Sequence, residues 1–255
     1  MGMSGSEKYC TFALYNKRMP TAMSNISIGI TPQARAADVV MARTAAAKVF
    51  MLLDIGLGLG ERTLADVARQ HEFDTDALLD ILRVTLDTEP GRPASSRTFI
   101  GSVLRFLRQS HLHFRSARIP ALRAAIMGLE EGLPDRYGAM LSRFFDSYIN
   151  DVDEHFRFEE LTVFPYIEGL LGGQAGSTFS ISSFSTNHTN IEQKLHDLKS
   201  ILVKHLPLDG ISPLCLGVLV QLSDLEADLN AHAAIEDAVL TPAVALLEQK
   251  GGEHV

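Results

Sequence analysis

Apolar residues recur at helical spacing through most of the chain, and four of the resulting stripes carry a histidine. Leu104, Leu107, His111 and Phe114 fall at i, i+3, i+7 and i+10, which is one face of a helix. Phe145, Tyr148, His155 and Glu159 make a second stripe, and Leu225, Leu229, His232, Glu236 and Val239 a comparable one near the C-terminus. Moving the first stripe forward by 77 positions gives Ile181, Phe184, His188 and Ile191, the same apolar pattern around a histidine. Breaks at 131–134, 172–177 and 206–210 are rich in Gly and Pro, and they divide residues 97–250 into four long helices. No strand-like alternation interrupts the pattern. The expected fold is all-α, an up-down four-helix bundle whose stripes share one centre.

The N-terminal part reads differently. Residues 1–30 are Ser-, Met- and Asn-rich and read as a poorly ordered tail, while residues 31–92 read as a small helical domain. There the composition predicts one helix from Ala34 to Leu53, ended by Gly56, Gly58 and Gly60. Thr63 with Asp66 three residues later is the signature of a capped second helix, and a third follows Asp74-Thr75 as far as about Leu86. Thr88 to Ser96, with two prolines and a glycine, reads as a linker.

Composition removes several function classes. A net charge of −8 and a pI near 5.6 argue against nucleic acid or an anionic membrane surface as partner. The second and third helices could be taken for a helix-turn-helix, yet residues 34–92 hold ten acids against seven Lys and Arg. The longest apolar stretch, Val39 to Leu59, is interrupted by Arg43, Lys48 and Asp54, so no membrane span is expected. Cys10 and Cys215 are too few for a disulfide framework or a thiolate metal site. With no charged-then-apolar leader, a cytoplasmic and reducing setting is expected.

The chemistry lies in the polar residues inside the apolar stripes. His155 and Glu159 are four apart, as are His232 and Glu236, and the two pairs are themselves 77 apart, as are His111 and His188. Residues four apart on a helix differ by ~40° around the axis and ~6 Å along it, so both can reach one cation or two adjacent ones. A buried Glu without a partner would cost several kcal/mol, which disfavours chance placement. His111, His155, Glu159, His188, His232 and Glu236 are therefore the expected metal ligands, two histidines to each cation with both glutamates bridging. Mixed imidazole and carboxylate ligation suits iron or manganese better than structural zinc. Positions remain for an oxo or hydroxo bridge and a small exogenous ligand such as oxygen or nitric oxide. Asp151 and Asp228 precede the ligand histidines by one turn and are weaker candidates for orienting imidazole N–H groups. No catalytic residue is identified.

These residues resemble the hemerythrin-like, HHE cation-binding domain, in the segments 110–120, 155–165, 232–242 and around His188. The resemblance covers the whole C-terminal bundle. It implies two iron ions, replaceable by manganese or zinc, with the four histidines as terminal ligands and Glu159 and Glu236 as bridges. The second His-x-x-x-Glu pair is closest to the branch that repairs iron centres. This implies a stress-protective di-iron protein acting on iron–sulfur partners, with homodimers as one arrangement in that branch. In that branch a Cys-Cys pair followed by glycine ends the first N-terminal helix, whereas Asp54 to Gly60 holds no cysteine. That departure favours an alternative, a module sensing or storing oxygen, nitric oxide or iron.

Overall fold

The computed structural model describes residues 29–173, 179–183, 188–207 and 212–252; the expected tail, residues 1–28, lies outside them. Four rods make the C-terminal bundle. The first is α5 (Arg97–His113), a π-helical turn (Phe114–Arg118) and α6 (Ile119–Glu130). The second is α7 (Asp135–Phe158), a π turn (Glu159–Val163) and α8 (Phe164–Leu171). The third is α9 (His188–Lys204), and the fourth is α10 (Pro213–Ile235), a π turn (Glu236–Leu240) and α11 (Thr241–Gly252). α6 packs on α7 and α10, and α9 packs on the same two, so rods adjacent in the chain are adjacent in space. Apart from one antiparallel bridge between Arg35 and Thr63, the described residues form no strand.

The three π turns share a local cause. Pro120, Pro165 and Pro242 each lie six residues beyond the first residue of a π turn, at 114, 159 and 236. A proline inside a helix lacks an N–H and crowds the carbonyl four residues earlier, and widening the preceding turn relieves both problems without breaking the rod. The widened turns begin at Glu159, at Glu236, and three residues past His111.

Before the bundle come α1 (Ala36–Ala42), α2 (Ala46–Leu52), α3 (Leu64–Gln70) and α4 (Thr75–Thr85). The single helix expected over Ala34–Leu53 is broken, because Arg43 adopts φ −140°, ψ 96°. In that conformation its guanidinium donates to the Leu86 carbonyl at 3.1 Å, a tertiary contact that local helix propensity does not report. The helix also stops before the glycines. Asp54 takes the left-handed region (φ 57°), and the Ile55 N–H closes back on the Phe50 carbonyl at 2.8 Å. Thr63 and Asp66 form the expected capping box on α3, and Asp74 caps α4 through the Ala77 N–H at 3.1 Å.

The third rod also begins later than its stripe suggested. Ile181 is buried on a short 3₁₀ turn (Ile181–Ser183), held to α11 because the Glu248 carboxylate accepts its N–H at 2.8 Å. Phe184 lies outside the described residues. Two apolar clusters fill the molecule. One runs from α1–α4 into α5, α8 and α11 without interruption, and the other occupies the far half of the bundle around Phe145, Tyr148 and Leu222. The metal-ligand candidates fall where the two clusters meet.

Candidate metal centre

His111, Glu159, His232 and Glu236 are all buried, and each offers one donor atom lying within 4.8 Å of the others. They come from three rods, α5, the second π turn, and the end of α10 with its π turn. The two oxygens of Glu159 face different histidines: Oε1 is 2.9 Å from His155 Nε2, and Oε2 is 3.0 Å from His111 Nε2 and 3.8 Å from His232 Nε2. Glu236 Oε1 lies 3.2 Å from His232 Nε2. His155 sits at the edge of the cluster with its side chain 12% exposed. His188 opens α9, and its side chain lies outside the described residues.

The imidazoles are oriented from behind. His111 Nδ1 is 2.9 Å from Glu160 Oε1, and Glu160 also takes both oxygens to Arg115 Nη1 at 2.7 and 2.9 Å. An ionised carboxylate only accepts, so Nδ1 donates to Glu160 and Nε2 is the nitrogen turned toward Glu159 and His232. Phe156 stacks on the His111 ring at 4.0 Å and 18°, with Phe164 at 5.6 Å, which fixes the ring plane. His232 Nδ1 meets Ser110 Oγ at 3.1 Å, leaving its Nε2 only 3.3 Å from His111 Nε2.

Neither Glu160 nor Ser110 stands out from spacing alone. Glu160 directly follows a ligand candidate, and the acid 77 positions on, Asp237, is the one signal that could have marked it. Each of the weaker candidates pairs with a basic group. Asp228 pairs with Lys48 at 2.5 Å and Arg118 at 2.9 Å, and Asp151 with Lys194 at 2.5 Å. Arginines along the first rod also meet acids, Arg108 with Glu168, Arg115 with Asp153 and Arg123 with Asp146.

The electrostatics favour positive charge at this point. Burial alone would push the Glu159 carboxyl up and the His232 imidazole down. His111, His155 and His232 outweigh burial at Glu159 and hold it well below the carboxylate range. Glu236 and Glu159 outweigh it at His232, which is raised to about 10. Both Glu159 oxygens are buried and lie within 3.0 Å of imidazole nitrogens. Buried carboxylate oxygens clustered with imidazole nitrogens are a donor set suited to a borderline divalent cation, which would take the place of the imidazole protons. The residues present fit a metal.

No helix among the described residues is long and apolar enough to cross a membrane. No curated protein matches the chain. The hemerythrin HHE cation-binding domain matches residues 102–244, from the start of the first rod to the last, and spans all six ligand candidates. Matched over more than half its length, with a buried His and Glu cluster at the matching centre, the chain belongs to the hemerythrin HHE cation-binding domain family.

Proposed function

We propose that the chain holds two iron ions on His111, His155, His188 and His232 with Glu159 and Glu236 between them, and that it protects or repairs iron-containing centres under nitrosative or oxidative stress. The supporting observation is the disposition of Glu159, whose two oxygens face separate histidines as a bridging carboxylate must. Bound iron would supply one-electron redox chemistry and a position for a small ligand such as oxygen or nitric oxide. The protein's own part is to aim imidazole lone pairs through Glu160 and Ser110 and to enclose them with Phe114, Phe156 and Phe164. Iron–sulfur proteins are the partners this reading implies.

Purified protein loaded with ferrous iron should restore a damaged iron–sulfur enzyme, and the Glu159→Leu variant should not. Equal restoration by that variant ends the reading. A second reading, sensing or storage of oxygen, nitric oxide or iron, is favoured by the absence of cysteine from the turn at residues 54–60. It predicts a reversible optical change on adding oxygen or nitric oxide to reduced protein, with no restoration of the damaged enzyme.

A further inference from the structure

A cleft of about 400 Å³ lies between α2 and the bundle and extends to the metal centre. That size is within the ~300–1,000 Å³ typical of small-molecule sites. Val49 and Leu52 of α2, Phe106 of α5, Phe114 and Ile235 supply apolar walls. Polar groups gather at two places. Ser110 and His232 are buried at the inner end, whereas Lys48, Arg118 and Asp228 stand at the outer end, with Lys48 43% exposed.

The outer group is unbalanced. Lys48 and Arg118 share the single carboxylate of Asp228, at 2.5 and 2.9 Å, leaving one net positive charge among the three. Arg118 is also incompletely satisfied. Its Nε and Nη2 are buried, and neither makes a directed hydrogen bond among the described residues, Nη2 lying near Asp228 but out of line. The Arg118 side chain remains 25% exposed, so an anion entering the cleft would meet an ammonium and a guanidinium that one carboxylate does not balance. An apolar passage leading inward from such a head group suits an amphipathic anion better than a sugar, a nucleotide or a cation.

We propose that this cleft binds an organic monocarboxylate with an apolar body. The carboxylate lies between Lys48 and Arg118, and the chain runs past Phe106, Phe114 and Ile235 toward His232. The N-terminal helices thereby complete a ligand site that the bundle alone does not possess, because Lys48, Val49 and Leu52 come from α2. The proposal depends on neither the repair nor the sensing reading of the metal centre.

The test is calorimetric titration of the full chain, metal-free and iron-loaded, with octanoate, octanamide and octylamine. Octanoate should bind with one-to-one stoichiometry, and the neutral and cationic analogues about tenfold or more weaker, the loss expected for one charge-assisted contact. Lys48→Met and Arg118→Met should each weaken octanoate by about tenfold and narrow its advantage over octanamide. Asp228→Asn, which frees both cations, should tighten octanoate binding, a gain that damaged folding cannot imitate. No octanoate binding, equal binding of the three compounds, or no change in Lys48→Met and Arg118→Met overturns the proposal. Octanoate binding by protein that takes up no iron would sustain it while refuting the metal reading.

Discussion

Glu160 accepts the Nδ1 proton of His111 at 2.9 Å, and this contact decides which face of the imidazole is available to a cation. The carboxylate is itself held by Arg115, so the chain Arg115–Glu160–His111 ends on the Nε2 nitrogen turned toward Glu159. Removing the acceptor should free the ring to change tautomer. Glu160→Ala is expected to weaken metal binding by about 10–100-fold, with Glu160→Gln intermediate because its amide oxygen still accepts. Competition with a chelator of known affinity measures this. Unchanged affinity in Glu160→Ala would show that the contact is incidental.

Metal should stabilise the fold through the same side chains. At a metal concentration one hundred times Kd the gain is about 2.7 kcal/mol, so chelated protein should melt below the loaded form. Glu159→Leu should abolish the difference between the two melting curves. Its metal-free form should melt below the metal-free parent, because removing one member of a buried charged group leaves His232 without part of its compensation. A persistent metal-induced shift in Glu159→Leu contradicts the assignment of that residue.

The pH dependence of the metal-free protein follows from two groups with opposite signs. His232 is raised from 6.5 to about 10 in the fold, so its contribution is fully present below 6.5 and is lost as pH rises through about 10. Glu159 is lowered from 4.5, so its contribution is present above 4.5 and is lost as pH falls through the depressed value. Thermal melts of metal-free protein should therefore decline between about pH 6.5 and 10. Metal must displace the His232 proton, so its binding should release protons and strengthen over the same interval. Flat metal affinity across that range would argue against His232 as a ligand.

Tyr148 offers a test of the far core. Its hydroxyl is buried without a hydrogen bond among the described residues, and burial, with Glu226 nearby, raises its pKa. Tyr148→Phe removes a desolvated donor and leaves no cavity. It should be neutral or stabilising by up to about 1 kcal/mol in chemical denaturation. A loss of more than about 1 kcal/mol would mean the hydroxyl has a partner in solution.

Much of this molecule was legible in one dimension because its chemistry repeats on rods. A helix fixes the angle between residues four apart, so His155 with Glu159 and His232 with Glu236 had to share faces wherever the rods lay. The stripes around them announced which faces would be inward, and the capping box at Thr63 is a local bond between near neighbours. The all-α class and the shared faces of these residues were accessible this way, since each depends on periodicity or on contacts within one turn, and His111, Glu159, His232 and Glu236 meet in one buried cluster. His155 lies beside that cluster, and His188 has its side chain outside the described residues.

What periodicity could not determine was set by contacts between distant parts of the chain. The break at Arg43 answers to a carbonyl at Leu86, and the 3₁₀ turn at Ile181 answers to Glu248. Glu160 and Ser110 acquired their orienting places only when the second and fourth rods closed on the first. The Lys48–Asp228 bridge spans 180 positions, and with it arises a cleft that neither segment contains alone. Spacing along a helix is dictated by backbone geometry, whereas the rotation of one rod against another is chosen by side-chain packing across the core, and only the folded chain performs that choice.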